Sequence, residues 1–173
     1  CVLAMPEAVY LLYAINKIGA IANMLVMNAT EAEIHEKLAV TESKVVITVD
    51  LALEKIVQAS KETSVKHIIG VSLAESMPCV IGTIYKWESK VKQENCVLFS
   101  EFLKAGQGKN VEYLEIKADA PAVIAYTGGT TGKAKGVLLS NRAANTIAFQ
   151  YKYADKVLDF QKGESFLDTI PPF

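Results

Sequence analysis

The sequence has few of the side chains that bind metal ions or form disulfides. Its 173 residues include three cysteines and two histidines. The odd count and the spacing of Cys1, Cys79 and Cys96 match no metal motif, and they favour free thiols in a reducing cytoplasm. His35 and His67 have no cysteine or carboxylate at ligand spacing. A structural metal site is therefore not expected.

An excess of either charge is also missing. Eighteen basic and 19 acidic residues give a net charge of −1, which indicates neither nucleic acid nor an anionic membrane surface as a partner. The longest apolar stretch, 8–27, carries Asn16 and Lys17 near its middle. A charge at the bilayer centre costs about 2.5–3.5 kcal/mol, so a buried helix followed by a strand is expected here, with no transmembrane segment. No basic segment precedes an apolar run, so no signal peptide is expected either.

The composition is that of a globular protein, with 51% hydrophobic and 21% charged residues. Short β-branched runs alternate with amphipathic segments, which predicts an α/β fold with a mainly parallel sheet flanked by helices. The predicted strands are 20–27, 44–49, 65–73, 122–126 and 137–139. Residues 74–117 are less regular, with one short helix predicted around 100–104 and a loop at 106–108.

Local signals place the ends of several helices. Pro6 opens the first, and its nearly uniform apolar character predicts burial on several sides. Thr30 and Glu33 have the spacing of a capping box before a helix that extends to about 40. Asp50 is expected to cap a helix extending to about 60, and Ser140 or Asn141 to cap the last one.

The segment 126–137, YTGGTTGKAKGV, carries the chemistry. Three glycines in five residues remove side chains where the backbone must turn and approach a ligand closely. Successive amides in such a turn bind anions, the threonines add hydroxyl donors, and Lys133 and Lys135 add positive charge. Together these features describe a cradle for a polyphosphate. A bare turn between two strands is the alternative, but it would need neither the paired threonines nor two lysines.

Two common phosphate-binding motifs do not fit. The P-loop requires four residues between its glycines and then Lys followed by Ser or Thr. Here three residues separate Gly128 from Gly132, and Ala134 follows Lys133. The GxGxxG spacing of dinucleotide-binding folds is missing as well.

The segment resembles the signature loop of the adenylate-forming superfamily, which comprises acyl- and aryl-CoA synthetases, luciferases and peptide-synthetase adenylation domains. It matches from Thr127 through Val137, with Ala134 in place of the usual proline. The exchange removes a rigid residue but no ligand. Further similarity extends over 6–7, 17–21, 44–50 and 170–173, the last resembling a segment that leads into the acid-binding pocket.

The resemblance implies a two-step ligase reaction that uses ATP, Mg²⁺ and coenzyme A. A carboxylic acid attacks the α-phosphate to give an acyl-AMP, and a thiol then displaces AMP. The expected ATP-binding residues are Thr127, Gly128, Gly129, Thr130, Thr131, Gly132 and Lys135. The resemblance also implies a surface position for Lys133, because the family tolerates many residues there. The residues themselves suggest a structural role for Tyr126 at a strand end and an exposed His35.

The resemblance also implies that other parts of the enzyme lie outside this sequence. The family's magnesium-binding glutamate, its ribose-binding aspartate and its small C-terminal domain are not found. We therefore expect residues 1–173 to be part of the large N-terminal AMP-binding domain, truncated at both ends. On its own the chain is expected to be inactive and to self-associate. A peptide-synthetase-type adenylation domain and a non-catalytic nucleotide-binding relative remain alternatives to a cytoplasmic acyl-CoA synthetase of fatty acid metabolism.

Overall fold

The computed structural model describes residues 1, 5–76, 96–111, 113–128, 134–153 and 163. They form two compact units. The first comprises Cys1–Leu11 and Leu25–Val111, and the second comprises Leu12–Met24 and Glu112–Phe173. The helices are α1 (Pro6–Lys17), α2 (Glu31–Val40), α3 (Leu53–Ala59), α4 (Phe99–Gly106) and α5 (Asn141–Tyr153). The strands are β1 (Ala22–Asn23), β2 (Val45–Val49), β3 (His67–Val71), β4 (Cys96–Leu98), β5 (Pro121–Thr127) and β6 (Lys135–Ser140).

The first unit is a parallel α/β layer. Its sheet has the order β2-β3-β4, with every pair parallel. On one face, Ile69 and Val71 pack with Leu11 of α1 and Phe99 of α4. On the other, Gly70 lies close to Leu53 of α3. Because adjacent strand residues point to opposite faces, helices cover both sides of this sheet, and the predicted α/β class is confirmed.

The core of this unit depends on aliphatic side chains from α2, α3, β2 and β3. Ile34, Leu38 and Ile56 are fully buried, as are Val49 and Val71. Burying each such side chain contributes about 1.5–3 kcal/mol of hydrophobic free energy. The predicted capping box is confirmed: the Thr30 hydroxyl accepts from the amide of Glu33, and the Glu33 carboxylate accepts from the amide of Thr30.

The strand predicted over 20–27 and the helix cap predicted at Asp50 differ from the structure. The strand predicted over 20–27 is only Ala22–Asn23, because the chain leaves α1 through a turn at Gly19, whose φ is +70°, and turns again before α2. Asp50 does not cap α3. It opens a 3₁₀ turn, Asp50–Ala52, where its carboxylate accepts from the amide of Leu51.

Burial of α1 on several sides was a wrong prediction. Only Glu7 and Leu11 of this helix are buried. Tyr10 and Tyr13 are 66% and 67% exposed, and Val9 is exposed as well. The helix is apolar nearly all round, but it contributes few side chains to the cores that the described residues form. A helix with this pattern is suited to a larger assembly of elements.

The second unit is built on a sheet of order β1-β5-β6. β1 pairs with β5 in parallel, whereas β5 and β6 are antiparallel and form a hairpin. Ser140 caps α5 by accepting from the amide of Ala143, which confirms one of the two predicted caps. Arg142 pairs with the Asp119 carboxylate at 2.6 and 3.1 Å, and this interaction holds the pKa of that carboxyl below its ordinary value.

Two negative findings concern only the described residues. None of the helices there is long and apolar enough to cross a membrane. No group of three metal-binding side chains comes together in the same part of the chain. Cys1 and Cys96 are free thiols, and Cys79 lies outside the described residues.

Candidate functional site

The candidate site is the loop that joins β5 to β6, called here the β5–β6 loop and comprising residues 128–134. The two strands pair up to the positions where the loop begins and ends, with Thr127 directly opposite Lys135. Of the seven residues predicted to bind ATP, the structure describes Thr127, Gly128 and Lys135. Gly129, Thr130, Thr131 and Gly132 lie outside the described residues, as does the resemblance at 170–173.

The hairpin brings a hydroxyl and an ammonium group to the mouth of the loop. The Thr127 hydroxyl donates to the Lys135 carbonyl at 3.4 Å, a distance at the long limit for a hydrogen bond. Both residues are exposed. Side chains directly opposite each other in an antiparallel pair lie on the same face of the sheet, so Thr127 and Lys135 can approach one ligand together.

Gly128 starts the loop in open space. A Cβ atom placed on it would meet no other atom within 4 Å. The packing of the described chain therefore does not require glycine at this position. A ligand that approaches the backbone closely would supply such a requirement, and a phosphate held by backbone amides is a ligand of this kind.

Gly136, by contrast, lies in a tightly packed position, and the sequence reasoning did not single it out. It lies directly opposite Tyr126. A Cβ on Gly136 would come within 3.2 Å of both Tyr126 Cε1 and Ile124 Cγ2. The signal available in the sequence was an aromatic residue and a glycine on either side of a short loop, a pairing in which the ring covers the glycine of the neighbouring strand.

The Tyr126 side chain lies close to residues of both neighbouring strands. Burial raises the pKa of its hydroxyl above the ordinary value, and a hydrogen bond with the Asn23 side chain offsets part of this rise. Asn23 is in β1, directly beside Ile124 of β5. Tyr126 points to the opposite face of the sheet from Thr127, as neighbouring residues of a strand do. This agrees with the structural role that its place at a strand end predicted.

The position of the loop within the sheet suits ligand binding. It follows the carboxyl end of β5, which is parallel to β1. In open α/β sheets, ligands bind in the crevice beyond the carboxyl ends of parallel strands. The phosphates of ATP would fit the open space at Gly128, beside the Thr127 hydroxyl and the Lys135 ammonium. The described residues supply no cluster of carboxylates for a metal ion.

The two histidines lie away from this loop in sequence and have ordinary roles. His35 was expected to be exposed, but it is partly buried, and its Nδ1 is 3.0 Å from the carbonyl oxygen of Ala59. The contact links α2 to the end of α3. His67 begins β3, where it is exposed.

Comparison with known proteins supports the family that the sequence of the β5–β6 loop indicates. The family model described as AMP-binding enzyme matches residues 1–173. The chain belongs to the AMP-binding enzyme family. Among curated members, 4-coumarate–CoA ligase CCL1 of Humulus lupulus is 28% identical over 97% of this chain and 28% of its own length. Acetyl-coenzyme A synthetase of Bacillus subtilis is 30% identical over 96% of this chain and 26% of its own length.

Solved structures of AMP-binding and related enzymes share the fold. A long-chain-fatty-acid–CoA ligase from Archaeoglobus fulgidus aligns with a TM-score of 0.63 and 22% identity, covering 86% of this chain and 26% of that one. An anthranilate–CoA ligase in complex with anthranoyl-AMP aligns with a TM-score of 0.62 and 21% identity, covering 82% of this chain and 25% of that one. The chain thus spans about a quarter of the length of the family members it matches.

Proposed function

We propose that this chain is the ATP-binding part of a ligase that activates a carboxylic acid as an acyl-AMP and transfers the acyl group to the thiol of coenzyme A. The observation that carries the proposal is the β5–β6 loop. A Gly/Thr-rich sequence with the family's signature follows a strand end, and its mouth presents Thr127 and Lys135 on one face. The matched relatives named as CoA ligases and synthetases support the thiol acceptor.

The contribution of this chain to the reaction is electrostatic. As the acid attacks the α-phosphate, the bond to the β-phosphate breaks, and negative charge moves onto the departing pyrophosphate. Backbone amides of the loop, the threonine hydroxyls and the Lys135 ammonium would hold the β- and γ-phosphates where this charge develops. Donors that are already in place stabilise a transition state without further reorganisation. The proposed set is Thr127, Gly128, Gly129, Thr130, Thr131, Gly132 and Lys135.

Several finer assignments belong to the same proposal. Residues 1–173 would be part of the large AMP-binding domain, and Mg²⁺ would accompany ATP on ligands from outside the described residues. The protein would act in the cytoplasm, with a fatty acid as the first substrate to test. A carrier protein as the thiol acceptor, in an adenylation domain of the peptide-synthetase type, is the second candidate.

The experiment is ATP–pyrophosphate exchange, which reports the adenylation half-reaction alone. A full-length protein containing this chain should exchange label in the presence of its acid, tested over short, medium, long and aromatic acids. The 173-residue chain by itself should not. Exchange by the isolated chain would refute the expectation that other parts are needed, and no exchange by the full-length protein with any acid would favour a non-catalytic relative.

Self-association of the isolated chain is proposed from its uncovered apolar surface. β6 lies at the edge of the sheet that the described residues form, and its Val137 and Leu138 are exposed. Tyr10 and Tyr13 of α1 are also exposed. Unpaired strand edges and contiguous apolar patches favour association. Light scattering should give a mass above 18.8 kDa that rises with concentration, and a monomer at all concentrations would contradict the proposal.

A further inference from the structure

The two ends of the β5–β6 loop are held by a contact on the opposite face of the sheet from Thr127 and Lys135. Tyr126 and Gly136 form the cross-strand pair next to the loop. The Tyr126 ring occupies the space that a side chain at position 136 would need, because a Cβ there would lie 3.2 Å from Tyr126 Cε1. A side chain at position 136 would therefore require the ring to move by a few tenths of an ångström.

This contact favours the observed register of the hairpin, in which Gly136 lies opposite Tyr126. A slip of one residue would place the Tyr126 ring opposite Lys135 or Val137, both of which carry a Cβ. A one-residue slip also moves every side chain of a strand to the other face of the sheet. Lys135 would then no longer share a face with Thr127, and the loop would begin and end at different residues. The register therefore decides whether the proposed ligands converge.

The Tyr126 ring is itself held from the neighbouring strand. Its hydroxyl is hydrogen-bonded with the Asn23 side chain. Asn23 pairs with Ile124 in the parallel β1–β5 ladder, and the amide of Met24 donates to the Ile124 carbonyl at 3.0 Å. This hydrogen bond lowers the pKa of the hydroxyl, so the Tyr126 oxygen accepts from the side-chain amide of Asn23. β1 is only two residues long, so its ladder with β5 is short.

We infer that Tyr126 and Asn23 are positioning residues for the β5–β6 loop, and that they act by holding the ring against Gly136. The inference rests on the proposed function, since it assigns these residues a role in phosphate binding without contact to the phosphate. Neither residue belongs to the set predicted to bind ATP.

The test uses four variants of the 173-residue chain: Tyr126→Phe, Asn23→Ala, the double variant, and Gly136→Ala. Two readouts are measured on each. The first is amide hydrogen exchange at 125–127 and 135–137, the ladder positions next to the loop. The second is the dissociation constant of inorganic pyrophosphate, from calorimetry. Tyr10→Phe, at an exposed tyrosine, and Gly106→Ala, where a Cβ meets no atom within 4 Å, are the matched controls.

Loss of the Tyr126–Asn23 hydrogen bond should raise exchange at these ladder positions and weaken pyrophosphate binding, each by about two- to tenfold. Since both single variants remove one bond, the double variant should be no worse than the more affected single. Exchange in the β2–β3 ladder of the first unit should stay at the wild-type rate. Gly136→Ala should act in the same direction, and both controls should leave both readouts unchanged.

Three results would overturn the inference. The first is unchanged amide hydrogen exchange next to the loop in Tyr126→Phe. The second is additive effects of the two substitutions in the double variant. The third is altered amide hydrogen exchange with an unaltered dissociation constant of pyrophosphate. If the wild-type chain binds no pyrophosphate, the proposed function is weakened. The amide hydrogen exchange measurement then decides on its own whether Tyr126 and Asn23 hold the ends of the loop.

Discussion

Replacing Lys135 by glutamine tests whether this one lysine, and not positive charge in general, holds the phosphates. The substitution removes the charge but keeps a polar side chain of similar reach. Lys133, two residues away in the same segment, offers the matched control Lys133→Gln, because the loop's resemblance to the family assigns no role to that position. The two variants have the same net charge.

The exposure of Lys135 sets the size of the effect. Two unit charges 4 Å apart attract by about 1 kcal/mol in bulk water and by about 4 kcal/mol at the effective dielectric constant of a protein surface. An exposed ammonium lies near the lower value, since exposed ion pairs contribute little. Lys135→Gln should therefore weaken pyrophosphate binding by about 1 kcal/mol, or roughly fivefold.

Isothermal calorimetry of pyrophosphate binding, at low and at physiological ionic strength, measures this difference. Lys133→Gln should lose less affinity than Lys135→Gln at both salt concentrations. Equal losses that vanish together as salt is added would refute the reasoning, because they would mean that the loop attracts anions only through its summed charge.

Three further predictions concern the fold. Leu38 is 1% exposed in the core of the first unit, so Leu38→Ala should lower the free energy of unfolding, measured in urea, by about 2–5 kcal/mol. Val40 is 79% exposed on the same helix, so Val40→Ala should change this free energy little. Thr30→Ala should lower the free energy of unfolding by about 0.5–2 kcal/mol, because the capping box is lost, and Thr30→Ser should retain most of the wild-type stability. Equal stability of the wild type and both variants would contradict the observed cap. The hydrogen bonds from Thr30 lower the pKa of Glu33 in the folded protein. The charged Glu33 carboxylate therefore stabilises the fold at pH values above its pKa in the unfolded chain, and this stabilisation is lost as the pH falls through its pKa in the folded protein. The difference between wild type and Thr30→Ala, measured by urea unfolding, should therefore shrink in acid, and a difference independent of pH would contradict this.

Elements with strong local signals were predictable from the sequence. The capping box at Thr30 and Glu33 specifies the start of α2 without reference to the rest of the fold. The β-branched runs at 45–49 and 67–71 form parallel strands, as their apolar character predicted. Only the second is central, since β2 lies at the edge of the sheet that the described residues form. The β5–β6 loop was found for a similar reason, since its glycines, threonines and lysines lie within one continuous segment.

Features that depend on contacts between distant segments were not predictable in the same way. β1 is shorter than its apolar run, because only the residues that meet β5 form a ladder. Asp50 looked like a cap, but the chain first makes a 3₁₀ turn. The role of Asn23 depends on which strand lies beside β1, and this information is absent from the neighbourhood of Asn23 in the sequence.

The central claim is that the β5–β6 loop binds the phosphate chain of ATP with its backbone amides and hydroxyls. The most direct test is an NMR titration of the isotopically labelled 173-residue chain with pyrophosphate, following every assigned amide. The account predicts saturable shifts concentrated at 127–135, with the amides of Gly128 to Gly132 moving most. Amides of that segment that stay unmoved at saturating pyrophosphate, or that are hydrogen-bonded to the chain's own carbonyls in the free protein, would contradict it.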